Sequence, residues 1–141
     1  MKEFPVSKLK PRFATLFMGN LDKPAMEVHF EPFTVQDQFE GETVLDDFDQ
    51  PLRADFIELP TANVDGLLGQ VFEFPINPDE GYIDASLYFR HAHNPIDISR
   101  LEFEKGTDGE LNMTVASRWL MTFEGTAPND FDYRFTVPIK N

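Results

Sequence analysis

The chain has 141 residues, 41% of them hydrophobic, with 15 phenylalanines, no cysteine and a formal net charge of −13. That length suits a single domain over residues 1–141 with a core of its own. The missing cysteines exclude disulfides and thiolate metal sites, and the acidity opposes nucleic-acid binding, whose affinity comes mostly from neutralised phosphates.

The N-terminus, MKEFPVSKLKPRF, carries charge with no apolar run behind it, so it is not read as a signal peptide. No later run approaches the ~18 apolar residues of a membrane span. Without cysteine or a span, the expected compartment is the cytoplasm. RFATLFMGN follows, with apolar spacing that fits either a strand or one short helix. AMEVHFEPF alternates, Met26, Val28 and Phe30 against Glu27, His29 and Glu31, and predicts a strand ended by Pro32. RADFIELP and LLGQVFEFP predict short strands stopped by proline.

The second half is more regular. In YIDASLYFR, the residues Ile83, Ala85, Leu87 and Phe89 share one face. ISRLEFEKG points Leu101 and Phe103 inward, and ELNMTVASRWLMTFEG keeps Leu111, Met113, Val115, Trp119, Met121 and Phe123 on one parity. FDYRFTVPI completes the pattern with Phe131, Tyr133, Phe135, Val137 and Ile139. Period-2 alternation of this kind marks strands with one buried face. KGTDGE contains Asp-Gly, a hairpin-turn pair. The expectation is a mainly β protein, an antiparallel β-sandwich or strongly curved sheet of roughly seven to nine strands, with at most one short helix.

Two stretches carry candidate chemistry. FRHAHNPID, residues 89–97, holds two of the three histidines. If both lie on one strand, His91 and His93 share a face and can bind one ion, with Asp97 as a carboxylate ligand. The spacing is similar to the first motif of cupins. Gly81 lies too far upstream for that motif, however, and no histidine follows His93. The simpler expectation is a strand that gives way to a turn at Asn94-Pro95, with no metal or other cofactor. A cupin-like β-barrel metalloprotein using His91, His93 and Asp97 is the alternative.

The other stretch is QDQFEGETVLDDFDQ, residues 36–50. Residues 24–87 carry 15 acidic side chains against one base, Arg53, and this stretch holds six of the acids with no lysine or arginine. Asp37, Glu40, Glu42, Asp46, Asp47 and Asp49 repel one another at that density. Phe39 and Phe48 sit among them as apolar anchors within a charged rim, which is how interface contacts are built. The calcium-loop pattern fails for want of its glycine and closing glutamate. These eight residues are therefore the candidate contact surface for a basic protein partner, with a solvated loop as the plainer account. No nucleophile elbow, phosphate-binding loop or dinucleotide fingerprint occurs, so a binding protein is expected over an enzyme. Trp119 belongs to the core by parity. Arg118 and Arg134 point outward and are expected to pair with acids such as Glu124 or Asp132.

The tail HNPIDISRLEF…ELNMTVASRWLMTFEGTAPNDFDYRFTVPI resembles small acidic β-rich immunity proteins of bacterial polymorphic and contact-dependent toxins. His93 to Asp97, Trp119 to Gly125 and Phe131 to Ile139 carry the likeness, about the last third of the chain. The resemblance implies a cytoplasmic, non-enzymatic protein whose partner is a toxin domain, often a basic nuclease. Contact surfaces differ from member to member of that class, so it implies no particular residue here.

Overall fold

The computed structural model describes residues 1–140, and the chain is mainly β, as its alternation predicts. The strands are β1 (Pro11–Met18), β2 (Pro24–Phe30), β3 (Phe33–Phe39), β4 (Glu42–Phe48), β5 (Leu52–Asp55), β6 (Val71–Glu73), β7 (Asp84–Phe89), β8 (Ala92–Lys105), β9 (Leu111–Trp119) and β10 (Phe131–Pro138). Among the described residues the only helical pieces are three 3-10 turns, and none is long and apolar enough to cross a membrane. RFATLFMGN, left between strand and helix by its spacing, is strand β1.

One antiparallel sheet runs in the order β1-β2-β5-β7-β8-β9-β10, with β6 added beside the second half of β8. It curves far enough for its ends to touch: Ala14 of β1 and Ile139 form a parallel bridge, and the Lys140 N–H donates to the Ala14 carbonyl at 2.9 Å. The result is a nearly closed barrel. β3 and β4 pair only with each other and form a separate two-stranded hairpin.

The expected inward residues fill the barrel. Ile83, Ala85, Leu87, Phe89, Leu101, Phe103, Met113, Val115, Phe131, Phe135, Val137 and Ile139 are all buried. Phe123 departs from its predicted parity, because β9 ends at Trp119 and Phe123 lies exposed in the loop that follows. Trp119 is fully buried; its indole N–H donates to Ser117 Oγ at 3.1 Å, and that hydroxyl donates to the Tyr133 carbonyl at 2.6 Å. A buried indole with a satisfied N–H has no polar penalty to meet. Around it gather Phe4, Phe30, Phe48, Phe131 and Tyr133, with ring centroids 5.4–6.3 Å from the indole. Phe4 comes from the segment before β1 and also stacks on Phe131 at 5.1 Å. These rings plug one end of the barrel, the end at which β7 turns into β8 and β9 runs into its loop.

On the outer face, cross-strand charges pair. Arg118 reaches Asp132 at 3.0 Å as expected, whereas Arg134 reaches Glu102 at 2.8 Å across β9. Arg100 reaches the same Glu102 and also Glu73 of β6, both at 3.1 Å. Exposed pairs like these contribute about 0–1 kcal/mol each.

Candidate functional site

The β3–β4 hairpin stands over the aromatic end of the barrel. Its turn is Glu40-Gly41, both with positive φ (51° and 81°), the two-residue geometry whose twist matches a hairpin. The segment read as a loop from its acid density is thus a regular antiparallel pair, Phe33↔Phe48 through Phe39↔Glu42. Side chains alternate across it. Phe33, Val35, Asp37 and Phe39 of β3, with Phe48, Asp46, Val44 and Glu42 of β4, share the face turned towards the barrel.

That inner face changes character along its length. At its root Phe48 is only 1% exposed and stacks on Phe33 at 4.7 Å, with Phe30, Phe4, Phe89 and Trp119 around it. This corrects the expectation that Phe48 anchors a partner, because a ring in the core is not available to one. In the middle, Asp37 and Asp46 meet Arg90 from the β7–β8 turn. Its Nε donates to Asp46 Oδ2 at 2.7 Å, one Nη to Asp37 Oδ2 at 3.0 Å and the other to the Thr126 carbonyl at 3.0 Å. The N-terminal amine also donates to Asp37. That amine, the Gln38 N–H and Arg90 together hold the Asp37 carboxyl far below the usual carboxylate range. Two acids that look uncompensated in the sequence are therefore the hairpin's attachment.

Towards the tip nothing covers the hairpin. Phe39 is 67% exposed and Leu45 65%, with Val44 partly exposed beside Phe39. Glu40 and Glu42 at the tip, and Asp47 and Asp49 at the root end, are exposed and form no ion pair among the described residues. Asp47 accepts from the Thr34 hydroxyl at 2.9 Å, and Asp49 from the Gln50 amide at 3.3 Å. Phe39, Val44 and Glu42 therefore share the inner face near the tip, Leu45 and Asp47 lie on the outward face of β4, and Asp49 follows the strand. No lysine or arginine occurs between residues 24 and 52 to offset these carboxylates.

The FRHAHNPID stretch is arranged differently from its expectation. The turn falls at Arg90-His91, both with positive φ (54° and 63°), and β8 begins at Ala92 and runs straight through Asn94-Pro95. Asn94 is not a turn residue but a fully buried one. Its amide donates to the carbonyls of Leu87, Phe89 and Ala92 at 3.1–3.2 Å, and its side-chain oxygen accepts from the Thr126 hydroxyl. Asn94 therefore ties the β7–β8 turn to the β9–β10 loop. His91 is exposed in the turn, and His93 lies on β8 against Tyr88, ring centroids 5.1 Å apart. Asp97 sits opposite Arg118 on the outer face, its carboxyl pushed up by burial against the pull of that guanidinium. Four residues of extended strand separate His93 from Asp97 by about 13 Å, so the three donors do not converge. Among the described residues no three His, Asp or Glu side chains form a group able to hold a metal.

Arg90 and Asn94 are the residues that sequence reasoning passed over. A lone base at the end of a strand, 44 positions from Asp46 and 53 from Asp37, gives no local signal of the pairs it makes. Compared with protein-family models, curated proteins and solved structures, the chain matches none.

Proposed function

We propose that this chain is a non-enzymatic binding protein that uses the β3–β4 hairpin to engage and neutralise a basic protein partner, in the manner of an immunity protein acting on a toxin nuclease in the cytoplasm. The observation that carries this reading is the exposed surface of the hairpin. Among the described residues, Glu40 and Glu42 at its tip, Asp47 on β4 and Asp49 just after it have no cationic partner, and Phe39, Val44 and Leu45 are exposed on the same hairpin. Apolar anchors surrounded by unpaired charge favour a partner of opposite sign, whose approach the field accelerates and whose burial of the anchors fixes the affinity. On a nuclease, the same carboxylates would occupy the surface that otherwise receives phosphates. Asp37, Asp46 and Phe48, first grouped with the contact surface, serve to hold the hairpin in place.

The test is site-specific photo-crosslinking in the producing cell. A crosslinker replacing Phe39 or Leu45 is expected to trap a protein of net positive charge. One replacing Glu104, at the opposite end of the barrel, is not. No adduct from the hairpin, an acidic partner, or equal trapping from Glu104 overturns the reading.

A further inference from the structure

β3 and β4 form a sheet of two strands, so each has an edge with no hydrogen-bonding neighbour. The two edges are not equivalent. In a two-residue hairpin the pair flanking the turn, Phe39 and Glu42, exchanges both backbone bonds, and the pattern then alternates. The backbone groups of Gln38, Gln36 and Thr34 therefore point out from β3, and those of Thr43, Leu45 and Asp47 point out from β4. On the β3 side the Gln38 N–H is already taken by the Asp37 carboxylate at 2.9 Å. On the β4 side no backbone bond among the described residues closes the edge.

Natural sheets protect such an edge with charged side chains, lysine above all, or with proline, a bulge or a covering loop. On β4 the protection is carboxylate alone: its register with β3 is unbroken, and its sequence, ETVLDDF, carries no base and no proline, so its charge deters an acidic strand and not a basic one. Beside the edge lies a groove lined by Leu45, Asp47, Asp49, Tyr88 and His91, and by Arg90, whose charge is taken up by Asp37 and Asp46. Leu45 and Tyr88 are both exposed, so the groove offers apolar contacts on either side of an open ladder with carboxylates at its rim. The acids also act against self-pairing, since a second copy would bring the same charges to the same edge.

Taking the basic-partner reading as its premise, we infer that β4 receives an extended basic segment of that partner as an added antiparallel or parallel strand. Main-chain bonds to Thr43, Leu45 and Asp47 would supply the register. Leu45 and Tyr88 would contact the apolar side chains of the incoming strand, and Asp47 and Asp49 its lysines or arginines. β4 would then be the middle strand of a three-stranded sheet.

The probe is a peptide of alternating lysine and valine, compared with its fully N-methylated counterpart, which keeps charge and side chains but has no backbone donors. With the full chain, the unmethylated peptide is expected to slow amide exchange at Thr43, Leu45 and Asp47. The methylated one is expected to bind about tenfold more weakly or worse, as the loss of two or three main-chain bonds implies. Leu45→Pro removes an outward N–H without touching the β3–β4 ladder, and it should weaken the unmethylated peptide to a similar degree, whereas Leu45→Ile, which keeps both the N–H and an apolar side chain, should not. Equal binding of the two peptides overturns strand addition and leaves the basic-partner reading standing. Absence of binding by either peptide also overturns it, with crosslinking then deciding the premise separately. Exchange protection at Thr43–Asp47 that rises with protein concentration alone overturns it in favour of a second copy.

Discussion

The barrel interior around Trp119 and the β3–β4 hairpin are both made of alternating antiparallel strands, yet they spend their inward positions differently. In the barrel most inward residues are apolar and buried, with Asn94 and Ser117 as polar exceptions, and aromatic rings from β2, β4, β10 and the N-terminal segment meet around the β9 indole. In the hairpin only Val35 and Phe48 are buried. The next inward pair, Asp37 and Asp46, turns to Arg90, and Phe39 and Val44 beyond it meet solvent. One region is held by area removed from water, at about 25 cal/mol per Å². The other is held at its root by packing, then by charge-assisted bonds, and is left free at its tip. The second region keeps an exposed acidic and apolar surface that the first does not, which supports the proposal that a partner docks there.

Substitutions can break this contrast at graded depths. Phe48→Ala removes a ring from the aromatic plug and should cost about 3–5 kcal/mol, read from denaturant unfolding, because the cavity has rings on all sides. Arg90→Met should cost less, on the order of 1–2 kcal/mol, through the unmade bonds of Asp46 and the Thr126 carbonyl. Its effect should be local: amide exchange should quicken along β3 and β4 while Trp119 fluorescence keeps its buried character. Asp37→Asn tests the attachment by pH. A carboxyl whose folded pKa is depressed contributes stability fully present above its unfolded value, near about 3.9, and lost as pH falls through the folded one. The stability gap between the natural chain and Asp37→Asn should therefore hold at neutral pH and close only as pH drops below about 4. Phe39→Ser should change stability by no more than about 0.5 kcal/mol, since the ring is already in water, and a large loss there would place the tip in the core.

The same contrast explains what could be read from the chain alone. The β7–β10 strands are legible because their inward residues are mostly apolar, Asn94 and Ser117 excepted, and period 2 survives without knowledge of any neighbour. The hairpin is not, although Phe33, Val35 and Phe39 alternate and Glu40-Gly41 supplies a turn. Aspartate at 37 and 46 interrupts the inward face, and only the distant Arg90 makes those positions acceptable there. The β7–β8 turn was misplaced by four residues for a related reason. Arg90-His91 adopts positive φ without the asparagine or glycine that usually announces it, while Asn94-Pro95 looks like a turn but is strand, its asparagine satisfied by three carbonyls and a hydroxyl. Of the eight residues first assigned to the contact surface, local sequence identified the exposed ones, Phe39, Glu40, Glu42, Asp47 and Asp49. The division between these and the anchoring Asp37, Asp46 and Phe48 depends on contacts more than 30 residues away in the chain.

The most direct test of the hairpin as a charged docking surface is the association rate with the crosslinked partner at varied ionic strength. It compares the natural chain with a variant carrying Glu40→Gln, Glu42→Gln, Asp47→Asn and Asp49→Asn, none of which forms an ion pair in the fold. The natural chain should associate about tenfold faster or more at low salt, and the two rates should converge as salt screens the field. Equal rates at low salt, with both proteins folded, would contradict the account.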